Sequence, residues 1–274
     1  MERAISGASI GHAAGNANVA PMPQGARAVT VQRLPGAPAL IVAHRGAWGA
    51  APQNSLEAFD DAAALGCNAV ELDVRRTADG RIVVVHDALV RGRPVGRLEH
   101  HQVQARMKDG QAPALEDVLA RVAGRIAVDV ELKESGYEEE AMAIVARHLH
   151  PDRYVVTSFR DAALPAVKRA VPEARTGLLL GPRRRLRELE RRVRQTGVDF
   201  VAPHSSLARP RLLSWAQQQS LGAWVWTVND PYRLRALLAD PRVSAIITDH
   251  PERALRPGAA VVGPRRRPLR ARRR

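Results

Sequence analysis

Eight short apolar runs alternate with stretches of helical periodicity between residues 40 and 255, and this alternation restricts the possible folds more than any other feature. The runs are Leu40 to Ala43, Ala69 to Val74, Ile126 to Leu132, Tyr154 to Ser158, Thr176 to Leu180, Phe200 to Ala202, Ala223 to Val228 and Ala245 to Thr248. Helical patterns fall between them near 55–65, 115–122, 138–149, 161–170, 184–196, 210–220, 231–239 and 251–255. Strands joined by helices lie parallel, because each crossover returns the chain to the same end of the sheet. Eight such units predict an α/β fold of the (β/α)8 TIM-barrel type. One run breaks the pattern: Arg81 to Val85 follows the second strand too closely for a crossover helix. It is expected to run antiparallel, as a short hairpin strand turned at Asp79-Gly80. Pairing Ala78 with Arg81 would set Asp73 opposite His86.

The barrel domain is expected over 39–256. Residues 1–38 show no sustained periodicity and read as an unstructured segment, and residues 257–274 read as a disordered Arg-rich tail. Charge supports this division. The chain carries 42 basic and 28 acidic residues, net +14, and only Lys108, Lys133 and Lys168 are lysines. Nine arginines and no acid follow from Arg253 onward, and seven arginines with two glutamates lie between Arg183 and Arg194, which together contain the whole excess. The tail is suited to touching anionic surfaces, and no specific nucleic-acid partner is expected. The helical spacing of Leu186, Leu189 and Val193 places the second cluster of arginines on a solvent face. No apolar run reaches the length of a membrane span and the N-terminus lacks a basic stretch followed by an apolar run, so a cytoplasmic location is expected. The single Cys67 excludes an internal disulfide and a multi-cysteine zinc site, and reads as a small buried apolar residue.

Chemistry gathers at the strand ends, where a barrel of this type builds its site. His44 and Arg45 follow the first strand, Glu71 and Asp73 share one face of the second, His86 and Asp87 end the hairpin, and Glu131 and Lys133 end the third barrel strand. Glu71, Asp73 and Glu131 would repel one another without a cation between them, and an all-oxygen set suits Mg²⁺ or Ca²⁺. Arg45 and Lys133 add positive charge suited to a phosphate ester. His44 and His86 can take and give the protons that hydrolysis moves. Asp129 reads as facing away from Glu131 or as an ion-pair partner, although its two-residue offset also leaves a place inside the mouth open. His204 lies just beyond a strand, where it could touch a substrate.

Taken in order, His44-Arg45-Gly46, Pro52-Gln53-Asn54-Ser55, Glu71-Leu72-Asp73-Val74, His86-Asp87, Glu131-Leu132-Lys133, Ser158-Phe159, Trp226-Thr227-Val228-Asn229 and Thr248-Asp249-His250-Pro251 resemble the glycerophosphodiester phosphodiesterase family. The resemblance runs from residue 40 to about 255. It implies a divalent-metal enzyme that cleaves small glycerophosphodiesters to an alcohol and sn-glycerol 3-phosphate through a cyclic phosphate. By the same correspondence Glu71, Asp73 and Glu131 match the metal ligands, His44 and His86 the acid and base, Arg45 and Lys133 the phosphate-holding groups, and Trp226 an aromatic wall of the substrate pocket. Gln53 and Ser55 stand where the family usually has Glu and Thr, which bears on metal affinity. The short arginine-containing stretch Arg91 to Gly96 lacks the usual threonine, which bears on substrate preference. Two other readings remain: a lysophospholipase D-like activity, for which 4% aromatics offer little apolar approach, and an idle barrel that works through its tail.

Overall fold

A computed structural model of the chain describes residues 30–49, 51–108, 111–182 and 186–255. The strands are β1 (Leu40–His44), β2 (Ala69–Arg76), β3 (Ile82–Val84), β4 (Leu89–Val90), β5 (Arg93–Pro94), β6 (Ala127–Leu132), β7 (Tyr154–Ser158), β8 (Arg175–Leu180), β9 (Phe200–Pro203), β10 (Gly222–Val225) and β11 (Ala245–Thr248). The helices are α1 (Leu56–Leu65), α2 (His100–Gln104), α3 (Leu115–Val122), α4 (Glu138–His148), α5 (Ala163–Ala170), α6 (Leu186–Thr196), α7 (Pro210–Gln218), α8 (Pro231–Leu238) and α9 (Pro251–Leu255). Eight strands, β1, β2, β6, β7, β8, β9, β10 and β11, pair in parallel in that order, and β11 returns to β1 to close the barrel. The expected barrel is present, and closure removes the exposed sheet edges that an open sheet would leave.

Alternation along each strand builds two cores. Leu40 and Val42, Ala69, Ala127, Val155, Leu179, Phe200, Ala202, Trp224, Ala245 and Ile247 fill the barrel. Their neighbours Ala43, Val70, Leu72, Val128, Val130 and Val156 face out against the helices. Each barrel strand is buried on both faces, hence the nearly continuous apolar runs in the sequence.

The segment before β1 departs from expectation. Val31 is buried among the inward-facing residues of the barrel floor, its backbone N–H donating to the Asp152 carbonyl at 3.1 Å. Arg33 donates to the carbonyls of Pro241 at 2.6 Å and Val243 at 2.9 Å. Residues 30–38 therefore cap the bottom of the barrel. The remainder of the expected N-terminal segment, 1–29, and the Arg-rich tail, 257–274, lie outside the described residues.

The hairpin is present in a different register. β3 is antiparallel to the end of β2, with Val74 opposite Val84, Arg75 opposite Val83 and Arg76 opposite Ile82. Thr77 N–H donates to Arg81 O, which leaves Ala78-Asp79-Gly80 as a three-residue loop with Gly80 at φ 80°. The two-residue Asp-Gly turn is thus corrected, and the partner of Asp73 is Val85, not His86: Val85 N–H donates to Asp73 O at 2.9 Å. A second correction concerns the arginines of α6. Arg192 is buried and holds Asp161 through two nitrogens, so not every arginine there faces solvent.

Candidate active site

The site begins where β1 ends. After His44 the chain turns through Arg45 at φ 58° and Gly46 at φ 83°, and a Cβ on Gly46 would stand 2.7 Å from the Ala58 backbone, so only glycine lets this loop lie on α1. Ser55 caps α1 by accepting from Ala58 N–H at 3.1 Å. Asn54, at φ 59°, turns its amide inward and donates to Asp73 Oδ2 at 2.8 Å. Gln53 accepts from Arg45 Nη1 at 2.7 Å, so its missing charge bears on the arginine more directly than on the carboxylates.

Glu71, Asp73 and Glu131 are brought together as the sequence indicates: β2 and β6 pair with Asp73 beside Glu131, and one oxygen from each of the three lies within 4.8 Å of the others. All three are buried. Lys133 Nζ sits 3.0 Å from Asp73 Oδ1 and 2.7 Å from Glu131 Oε1, and Arg45 Nε sits 3.1 Å from Asp73 Oδ2. Burial opposes ionisation of Asp73, but Lys133, Arg45 and the Asn54 amide hold its carboxyl below the usual range. Glu71 is the opposite case. Burial, then repulsion from Asp73, Glu131 and Asp129, raises its pKa well above the ordinary value. One oxygen accepts from Arg45 N–H at 3.0 Å, while Oε1 is buried without a hydrogen-bond partner among the described residues. Burial also raises Glu131 despite Lys133. A buried orphan oxygen within an all-oxygen set is the donor chemistry that a hard divalent cation satisfies, so these residues fit such an ion.

Asp129 takes the inward place that its two-residue offset from Glu131 left open. It does not face away from Glu131 but lies one layer below it inside the barrel, fully buried, accepting from Thr157 Oγ1 at 2.8 Å. Burial pushes its carboxyl up to about 8.

The two histidines are held differently. His44 Nδ1 donates to Asp249 Oδ1 at 2.6 Å, and its Nε2 lies 3.8 Å from Glu71 Oε2. Asn229 fixes Asp249, donating from Nδ2 to Oδ2 at 2.5 Å and accepting from Asp249 N–H at 3.0 Å. Burial works against ionisation of Asp249, but the hydrogen bond from His44 and its charge keep the carboxyl below the usual range. His86 is more open, with Nδ1 2.8 Å from Asp87 Oδ1. Burial lowers its pKa, Asp73 opposes this, and Lys133 and Arg45 lower it further. Trp226 anchors its indole on Ala202 O at 2.6 Å and stands edge-on to Phe159 at 5.5 Å and to His204 at 5.2 Å. The arginine-containing stretch folds as the β4–β5 ribbon, turned at Arg91 and Gly92, with Arg91 and Arg93 exposed.

Asp249 and Asn229 carried no assigned role in the sequence reading. A signal existed for Asp249: it continues the inward series Ala245 and Ile247 on β11, as His44 continues Leu40 and Val42 on β1, and these strands are neighbours.

Comparison with known proteins identifies the family and the fold. A Bacillus subtilis relative is 30% identical over 238 residues, 80% of this chain and 97% of its own. A glycerophosphodiester phosphodiesterase of Caldanaerobacter subterraneus is 27% identical over 233 residues, covering 78% of this chain and 95% of that protein. The crystal structure of a glycerophosphodiester phosphodiesterase from Parabacteroides distasonis superposes with a TM-score of 0.68 at 25% identity, covering 79% of this chain and 94% of that one. The profile of the glycerophosphoryl diester phosphodiesterase family matches residues 44–253, from the first histidine of the site to α9, and the chain belongs to that family of phosphoric diester hydrolases.

Proposed function

We propose that this protein hydrolyses small glycerophosphodiesters to an alcohol and sn-glycerol 3-phosphate, with a divalent cation, Mg²⁺ or Ca²⁺, held by Glu71, Asp73 and Glu131. The observation that carries the reading is the convergence of three buried carboxylates, two cations and two histidines at one end of the barrel. When bound, the ion supplies Lewis-acid charge to the phosphoryl oxygens. Arg45 and Lys133, already fixed by Asp73 and Glu131, hold the phosphate and offset the charge that builds on it. Trp226 and Phe159 pack on the organic part of the substrate.

His86, whose pKa burial lowers, takes the proton from the glycerol hydroxyl adjacent to the phosphoester. That oxygen bonds to phosphorus as the bond to the leaving alcohol breaks, and His44 donates a proton from Nε2 to the departing oxygen. A cyclic phosphate results. Water then opens the ring with the roles reversed: His44 takes a proton from water and His86 returns one to the ring oxygen. Using an internal nucleophile avoids the entropic cost of capturing water in the first step.

The test is release of sn-glycerol 3-phosphate from glycerophosphocholine and glycerophosphoethanolamine in Mg²⁺, in Ca²⁺ and in excess chelator. Turnover that chelator removes is the expected result, and turnover that chelator leaves intact would overturn the metal role. Glu71→Ala and Glu131→Ala should each remove metal-dependent turnover without unfolding the barrel. A second reading, cleavage of a lysolipid that keeps its acyl chain, draws on Phe159, 38% exposed beside Trp226. Lysophosphatidylcholine in the same assay separates the two.

A further inference from the structure

Arg75 has a place in this site that its surroundings define closely. It lies two residues beyond Asp73 on β2, where the strand has risen past β1 and pairs with β3. Although an arginine at the end of a hairpin ordinarily reaches into water, Arg75 is 8% exposed. Its Nε and Nη2 donate to one acceptor, the main-chain oxygen of His86, at 3.0 and 2.7 Å. The remaining arm, Nη1, pairs with Glu134, the residue after Lys133.

Those contacts fall where regular structure stops. The β2–β3 ladder ends with Val85 N–H on Asp73 O, and His86 is the next residue. Beyond that point the Arg75 side chain takes over from the ladder in holding the chain. On the other side, Tyr137 OH donates to Val74 O at 2.7 Å and packs the loop that carries Glu134 against β2. We propose that Arg75 is a positioning residue for the reaction: it braces the His86 backbone against the loop after Lys133, and so fixes the distance between the proton-moving imidazole and the phosphate-holding ammonium. This rests on the roles given to His86 and Lys133 under the proposed function. A planar guanidinium can hold a carbonyl with two donors and a carboxylate with a third, whereas an ammonium cannot reproduce that fork.

The test compares Arg75→Met, Arg75→Lys and Glu134→Gln with the full chain in Mg²⁺, using glycerophosphocholine turnover and the imidazole NMR signals of histidine-labelled protein. A displacement of order 1 Å at a reacting group costs about 100-fold, so Arg75→Met is expected to lower kcat by about 10- to 100-fold with KM held within about threefold. The His86 signals should move while those of His148 and His150 stay in place. Arg75→Lys should recover part of the loss, and Glu134→Gln, which keeps both donors on His86, should lose less than Arg75→Met. A kcat within about twofold of the parent for Arg75→Met, or unmoved His86 signals, would overturn the proposal. If Arg75→Met does not fold, unchanged kcat and His86 signals in both other variants would overturn it equally. Failure of the parent protein to release glycerol 3-phosphate would instead strike the proposed function, and the His86 signals would then decide the positioning claim alone.

Discussion

At the residue scale, the two histidines differ in what surrounds them, and the difference sets an expected pH dependence. His86 is lowered from its ordinary value chiefly by burial, with Lys133 and Arg45 adding to the effect and Asp73 opposing it. A base whose pKa is lowered remains neutral, and therefore competent, further into acid. The acid limb of kcat/KM should accordingly lie below about pH 6.5, the usual value for histidine. A limb at or above that value would remove His86 from the role of first base. Asp249 acts on the other imidazole by fixing its tautomer and its direction. Asp249→Asn should lower kcat by about 100-fold or more while leaving KM nearly unchanged, because an amide can present N–H to Nδ1 and reverse the tautomer. Steady-state kinetics of that variant provide the check. Asp249 is a carboxylate beside the cluster of Glu71, Asp73 and Glu131, but its hydrogen bonds run to His44 and Asn229.

At the element scale, the barrel interior is filled in layers and leaves little room for change. Gly177 on β8 faces the ring of Phe200 on β9, and a Cβ there would stand 2.1 Å from it. Gly177→Ala should lower stability by about 1–3 kcal/mol, measured by urea denaturation, because neither the ring nor the strand can move aside in a packed core. Ser55→Ala should cost about 1 kcal/mol through loss of the α1 cap. The strands themselves were readable from the sequence because each is buried on both faces and so is apolar along nearly its whole length. The hairpin register was not. It depended on whether the turn held two residues or three, and Thr77, which bonds to both Asp79 and Arg81, closes the longer loop. A slip of one residue exchanges the faces of a strand, so the choice placed Val85 beside Asp73 and brought His86 to the mouth only by the bend that follows.

At the scale of the whole molecule, Cys67 reports on global opening. It is buried, and burial raises its thiol to about 12 from an ordinary 9.0. The folded chain should resist alkylation near pH 8 and react once unfolded. The same shift gives a sign to alkaline stability: the unfolded thiol loses its proton from about pH 9 and the folded one only near 12, so this contribution is intact below pH 9 and declines between the two values. The arginine excess belongs to a different level of organisation, since half of the net +14 lies in residues 257–274, beyond the barrel domain. A chain ending at Arg256 should keep its turnover and lose any salt-sensitive attachment to anionic vesicles. A fall in turnover would give the tail a part in the chemistry.

The amino-acid order alone determined the barrel and marked seven candidate site residues at its strand ends, His44, Arg45, Glu71, Asp73, His86, Glu131 and Lys133, while Trp226 entered only through the family resemblance. It could do so because strand periodicity is local and polar residues in an otherwise apolar run stand out. Only the tertiary structure decided what those residues touch. Val31 closing the barrel floor, Asn54 turning onto Asp73, Asp249 holding His44, Asp129 pointing inward and Arg75 gripping the His86 backbone all depend on closure of the barrel or on the geometry of a single turn. Those contacts join segments up to 205 residues apart, beyond the reach of any local pattern.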